Sequence, residues 1–175
     1  NIKTADQDDQ LGTAHAVKMA SHLIKDDEKI LILYGDVPLI SSKTIEGLIN
    51  SGHECTLLTM QLNDPTGYGR VITNGQNLAL KIIEQKDASE DELKIEEVFT
   101  GILLIDGSLL RPALEEIKNQ NSANEYYLTD LVEILSGKGV KIKCIQANPA
   151  EVSGANNKHE LHELELILRK MSAKK

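Results

Sequence analysis

The sequence is poor in aromatic residues, with four Tyr, one Phe and no Trp among 175 residues. Single-stranded nucleic acid is held by stacking bases on aromatic faces, and this chain offers no such platform. Its core must therefore be aliphatic, built on Leu, Ile, Val and Ala. Positive charge is also scarce: 19 Lys and Arg stand against 27 Asp and Glu, for a net charge of −8. Binding to a nucleic-acid backbone depends on clustered cations, so no nucleic-acid partner is expected. A small phosphorylated ligand is not excluded, because a few local donors and a divalent cation can overcome an unfavourable overall charge. No apolar run approaches the ~20 residues needed to cross a bilayer, and no signal-peptide pattern is present, so no membrane association is expected. The two cysteines, Cys55 and Cys144, lie in the apolar strand-like runs "ECTLLTM" and "VKIKCIQ". They read as reduced core thiols of a cytoplasmic protein.

Several chemical signatures are missing as well. There is no CxxC, no G-x-S-x-G elbow and no P-loop. His159 and His162 in "HELH" lack the i, i+4 spacing of a helical zinc site. No internal repeat, low-complexity tract or Pro/Gly/Ser-rich linker divides the chain. With 41% hydrophobic and 26% charged residues, it reads as one ordinary globular domain.

What is present is an alternation of helical and strand signals. "LGTAHAVKMASHLI" has a roughly helical pattern, and "ILILY" (Ile30 to Tyr34) reads as a strand buried on both faces. "SSKTIEGLINSG" is a helix capped by Ser41 or Ser42 and stopped by Gly52. Strands follow in "CTLLTMQL", "GRVIT" and "LALKIIEQ", the last two joined by an Asn74-Gly75 hairpin turn. "IEEVFTGILLI" is a further strand, and "GSLLRPALEEIKNQ" and "YYLTDLVEILSGKG" are helices. "VKIKCIQ" is a last strand before an amphipathic helix with Leu161, Leu164 and Leu168 on one stripe. Helices alternating with apolar strands predict an α/β fold with a mixed, mainly parallel sheet covered on both faces and an antiparallel insertion in the middle.

Polar residues interrupt this pattern at a few places. Asp36 breaks the apolar run at the end of the first strand, the edge where open α/β sheets bind ligands. It can hold a metal ion, cap the next helix or make an Asx turn before Pro38. Gly12 and Thr13 open a helix whose free N–H groups can meet an anion or a base carbonyl, and Thr13 is also an ordinary N-cap candidate. "DPTGYGR" (Asp64 to Arg70) has two glycines that permit a close backbone approach, or is a plain connecting loop. Glu84 faces either solvent or a cleft. Ser122 and Glu125 fit a capping box. Asn156 in "EVSGANN" is an oxygen ligand or an N-cap.

The order of these stretches carries more than any one of them. Gln7, then "LGTAHA", "YGDVPL", "DPTGYGR", "IIEQKDA", "TGI", "EYYLTD" and "SGANN" resemble, over almost the whole chain, the uridyltransferase domain of bacterial bifunctional N-acetylglucosamine-1-phosphate uridyltransferases. The resemblance implies a Rossmann-like fold and transfer of UMP from UTP to N-acetylglucosamine 1-phosphate, giving UDP-N-acetylglucosamine for cell-wall peptidoglycan and lipopolysaccharide, and pyrophosphate. It implies a Mg2+ ion bound by Asp36, the catalytic carboxylate, and by Asn156. Gln7, Gly12 and Thr13 would recognise uracil, Tyr34 and Gly35 would line the nucleotide, and Gly69, Glu84, Tyr127 and Thr129 would hold the sugar. Phe99 stands where the family carries Asn.

Members of the family begin with a Gly-rich loop bearing an Arg and a Lys, and end in a hexapeptide-repeat β-helix with acetyltransferase activity. Residues 1–175, starting at Asn1 without Met, are therefore expected to be one partial uridyltransferase domain that turns over little. Any homotrimer belongs to the full-length protein. The rival expectations are another sugar-1-phosphate nucleotidyltransferase and a noncatalytic nucleotide-sugar binding module.

Overall fold

The computed structural model describes residues 2–155 and 157–172, without the side chains of 163 and 170–172. The predicted strands assemble into one six-stranded sheet in the order β1 (Lys29–Ile32), β5 (Glu97–Asp106), β2 (Cys55–Gln61), β6 (Ile142–Gln146), β4 (Leu78–Ile83), β3 (Arg70–Thr73). The sheet is mixed, as the alternation predicts, but it is not mainly parallel. Among the described residues only β2 and β6 pair in parallel, with Cys55 opposite Ile142 and Leu57 opposite Cys144. The strands β1, β2 and β6 do run the same way. However, β5 inserts antiparallel between β1 and β2, pairing Ile30 with Ile105 and Cys55 with Ile105.

Side-chain alternation along the central strands feeds two cores. Cys55, Leu57, Leu103 and Ile105 turn to the face covered by α1 (Thr13–Met19), α3 (Gly107–Glu116) and α4 (Asp130–Gly137). Leu58, Met60, Ile102 and Leu104 turn to the opposite face, against Leu48 of α2 (Ser42–Ile49) and Val152 of α5 (Pro149–Val152). Both cysteines are free and buried, and burial pushes each thiol up to about 12, which keeps them protonated and inert.

Four local expectations are corrected. The first strand ends at Ile32, and its residues are at most half-buried because it lies at the sheet edge and pairs only with β5. The β3–β4 turn spans residues 74–77: Asn74 Oδ1 accepts from the Gln76 and Leu78 N–H groups, and Asn77 takes the positive φ of 57°. Ser122 and Glu125 form no capping box, since α4 starts only at Asp130 and the Glu125 N–H donates to Asn121 Oδ1. On α6 (Lys158–Ser172), Leu164 is buried but Leu161 and Leu168 are exposed.

Candidate active site

Beyond the end of β1 the chain passes through Tyr34, Gly35 and Asp36 into a cavity of about 560 Å³ between β5, β4, the 66–69 loop, the 152–154 segment and α6. Five predicted residues line it together: Tyr34, Asp36, Gly69, Glu84 and Thr129. The Tyr34 ring lies on Gly101, where a Cβ would come within 2.5 Å of it. Gly101 has φ 81°, so glycine serves both the backbone and the close approach. Burial pushes the Tyr34 phenol up to about 12, and the Thr13 hydroxyl offsets part of that shift.

Asp36 is exposed to this space. Neither structural reading of it holds. The cap of α2 is Ser41, whose Oγ accepts from the Thr44 N–H at 3.2 Å, and no described hydrogen bond or ion pair occupies the Asp36 carboxylate. The 153–155 segment closes on it: the Ala155 N–H donates to the Asp36 carbonyl at 3.0 Å, and a Cβ on Gly154 would lie 3.5 Å from Asp36 Oδ2. Asn156, expected to share a cation with Asp36, lies outside the described residues. The capping role open to it at sequence level belongs to Asn157, whose Oδ1 accepts from the His159 and Glu160 N–H groups at 3.0 Å each.

Glu84 answers the choice between solvent and cleft in favour of the cleft. Its Oε1 accepts from the Thr129 hydroxyl at 2.9 Å. Burial holds its carboxyl above the usual range, partly countered by that bond. Gly69 leaves the space above it open, since a Cβ there would reach 3.5 Å from Glu84 Oε1 and 2.9 Å from Ile82 Cγ2.

Gln7, Gly12, Thr13, Gly35 and Tyr127 are not among the cavity's described lining residues, and Thr13 reaches it only through the Tyr34 phenol. Tyr127 lines a second recess of about 520 Å³ on the far side of Glu84. Gly35 borders a shallow pocket beside Asp36. Gln7, Gly12 and Thr13 gather at the start of α1. Gln7 Nε2 donates to the Gly12 carbonyl at 3.1 Å, and Gly12 is itself the N-cap residue. Thr13 does not cap; its hydroxyl accepts from the Leu128 N–H at 2.9 Å. One helix-opening N–H is already used, as Ala14 donates to the Tyr126 carbonyl at 2.9 Å.

The α6 wall is not among the expected site residues. Glu160, Leu164 and Ile167 line the cavity, and their i, i+4, i+7 spacing marks one helical face. Nor is Tyr68 among them; its half-buried phenol is raised by burial and by the carboxylates of Glu160 and Asp36. The carboxylates of Asp36, Glu84 and Glu160 line the cavity, and no Lys or Arg is among its described lining residues. Two phosphates brought about 4 Å apart in such a place repel by ~4 kcal/mol at an effective dielectric near 20. A phosphorylated ligand therefore needs a cation to enter. An exposed carboxylate with no partner among the described residues fits a hard divalent ion, which takes one or two protein oxygens and fills its shell with phosphate and water oxygens. Among the described residues no three His, Cys, Asp or Glu side chains form an all-protein cage.

The model of the nucleotidyl transferase family matches residues 1–149. The chain belongs to that family. Its relatives include the bifunctional protein GlmU of Idiomarina loihiensis, 43% identical over 99% of this chain and 39% of that protein. GlmU of Alcanivorax borkumensis is 43% identical over 98% of this chain and 38% of its own. GlmU of Caldanaerobacter subterraneus is 42% identical over 97% and 38%. The chain thus spans 38–39% of the length of these relatives. Among solved structures, a chain described as a glucose-1-phosphate thymidylyltransferase of Bacillus anthracis, crystallised with sucrose, superposes with a TM-score of 0.66 at 19% identity. It covers 92% of this chain and 63% of its own. That likeness shows that the nucleotidyl transferase is built on the mixed α/β fold described above.

Proposed function

We propose that the chain forms the uridyltransferase part of a protein that joins UTP and N-acetylglucosamine 1-phosphate into UDP-N-acetylglucosamine and pyrophosphate, with Mg2+ as cofactor. One observation carries this reading: the cavity gathers Asp36, Tyr34, Gly69, Glu84 and Thr129, drawn from distant parts of the sequence, with no Lys or Arg among its described lining residues. In the reaction an oxygen of the sugar phosphate bonds to the α-phosphorus of UTP, and the bond from that phosphorus to the pyrophosphate oxygen breaks. No protein nucleophile is required. A divalent cation at Asp36 would supply charge neutralisation and fixed geometry for the two phosphates.

The chain's own residues then have separate tasks. Asp36 anchors the charge in the segment beyond β1, with Asn156 as the proposed second oxygen. Glu84 accepts a sugar hydroxyl, and Thr129 orients that carboxylate through its 2.9 Å bond. Gly69 leaves room for the sugar ring, and Tyr34 closes the nucleotide side. Gln7, Gly12, Thr13 and Gly35 are assigned to the nucleotide, and Tyr127 to the sugar. Phe99 on the cavity wall favours a second reading, a transferase for a different sugar 1-phosphate, because a phenyl ring offers an acetamido group no hydrogen bond.

The test, run in the full-length protein, is pyrophosphate release from UTP, and from the other nucleoside triphosphates, against N-acetylglucosamine 1-phosphate and glucose 1-phosphate with Mg2+. The proposed reading expects UTP with the acetamido sugar to be the best pair, and Asp36→Asn to lower the rate at least about 100-fold. A better rate with another sugar would select the second reading. An Asp36→Asn rate equal to wild type would remove Asp36 from the chemistry.

A further inference from the structure

Two loops meet at the proposed cation site, the 33–40 segment bearing Asp36 and the 153–155 segment that closes on it, and neither belongs to a long element. What joins them lies behind the cavity. Glu151 on α5 accepts through Oε2 from the Thr44 hydroxyl at 2.5 Å and the Ser41 hydroxyl at 3.0 Å. Ser41 is the N-cap of α2 and ends the Asp36 segment. The neighbouring Val152 packs with Val37 and Leu48 in the same core. The carboxylate thus lies at the positive end of a helix while it pins the base of one loop to the base of the other.

We propose that Glu151 is a positioning residue: its bonds to Ser41 and Thr44 hold the 153–155 segment against Asp36 and thereby set how firmly the site holds a divalent cation. The part concerning the cation rests on the reading of Asp36 given above. The loop-holding part does not. Its direct reporter is the Ala155 amide, whose only described acceptor is the Asp36 carbonyl at 3.0 Å. With Glu151 intact, opening of this contact requires two charge-assisted hydrogen bonds to break with it. Without it, the segment opens alone.

The experiment compares the purified chain with Glu151→Ala, Glu151→Gln and Thr44→Val, none of which touches the cavity. Amide hydrogen exchange by NMR is expected to speed up about tenfold or more at Ala155 in Glu151→Ala. It should stay unchanged at Leu57 and Ile102 in the central strands. Glu151→Gln, which keeps an acceptor oxygen, should restore most of the protection, a rescue that loss of general stability would not show. Mn2+ added alone should broaden the Gly35, Gly154 and Ala155 amides in the wild type, with half-saturation shifted upward at least about fivefold in Glu151→Ala. Thr44→Val removes the shorter bond from the α2 side and should reproduce both effects if Glu151→Ala fails to fold. Unchanged exchange at Ala155, or faster exchange spread evenly over the strands, overturns the latch. Faster exchange with an unshifted Mn2+ titration overturns its effect on the cation. Broadening that survives Asp36→Asn overturns the cation reading itself and leaves the exchange arm to decide the latch.

Discussion

Gly12 sits at φ 116° and ψ 176°, a region that only glycine enters without strain. A Cβ there would stand 2.5 Å from the Tyr126 carbonyl oxygen, and backbone cannot swing aside as a flexible side chain would. Gly12→Ala should cost about 2 kcal/mol or more, read as a lower urea midpoint with an unchanged slope. An unmoved midpoint would refute the close approach. The sequence marked this glycine as special, but its physical reason, the backbone of Tyr126, lies far along the chain and leaves no local trace. The same holds for Thr13, which looks like a cap and instead receives the Leu128 N–H. Phe99 sets two terms against each other. The residue is 5% exposed, and truncating a buried phenyl ring costs about 3–5 kcal/mol. An amide in its place would offer a sugar one hydrogen bond, worth about 1 kcal/mol. Phe99→Asn should therefore melt earlier while binding N-acetylglucosamine 1-phosphate about fivefold more tightly by calorimetry. Unchanged affinity would mean that the ring does not face the sugar.

Elements with a strong period were legible, and their neighbours in space were not. The strands fall where alternating or continuous apolar runs predict them, yet the place of β5 between β1 and β2 depends on pairings that no local pattern encodes. α6 was legible as a helix, and Leu164 of its expected stripe is buried, but the inward face runs through Glu160 and Ile167 rather than through the exposed Leu161 and Leu168. Its start is held by a reciprocal cap: Asn157 Oδ1 accepts from Glu160 N–H, and Asn157 Nδ2 donates to Glu160 Oε1 at 2.6 Å. Asn157→Ala should fray this turn, costing about 1 kcal/mol, and speed amide exchange in α6 but not in α4. Equal protection would show that packing of Leu164 alone holds the helix. α4 begins with Asp130, an acid where the helix dipole favours one. Burial nevertheless pushes it up to about 6, aided by Glu133, Glu84 and Asp87. Since the folded value lies above the unfolded value near 3.8, the native state binds the extra proton, and stability should rise as the pH falls through about 6 and level off below about 4. Glu84, also raised, acts in the same direction. Asp130→Asn should raise Tm at pH 7 and flatten the profile between about 4 and 6; a profile identical to wild type would place that titration elsewhere.

The 175-residue chain carries a net charge of −8 and turns three carboxylates, those of Asp36, Glu84 and Glu160, toward the cavity. An approaching nucleoside triphosphate is therefore repelled over the distance that salt leaves unscreened, about 30 Å at 0.01 M and 8 Å at 0.15 M. Repulsion at long range slows encounter, whereas a cation bound at short range decides whether the complex holds. These two effects separate experimentally. With Mg2+ fixed at a saturating level, raising KCl from about 0.01 to 0.15 M should increase the association rate of UTP several-fold in stopped flow. That slope is opposite in sign to the one shown by proteins that bind phosphate chains through Lys and Arg. Chelating the divalent ion should abolish binding at either salt concentration, because ~4 kcal/mol of phosphate repulsion then has no counterweight in the cavity. A rate that falls with salt would reveal a cationic approach surface outside the cavity, and binding that survives chelation would mean that the acidic lining is not what the triphosphate meets.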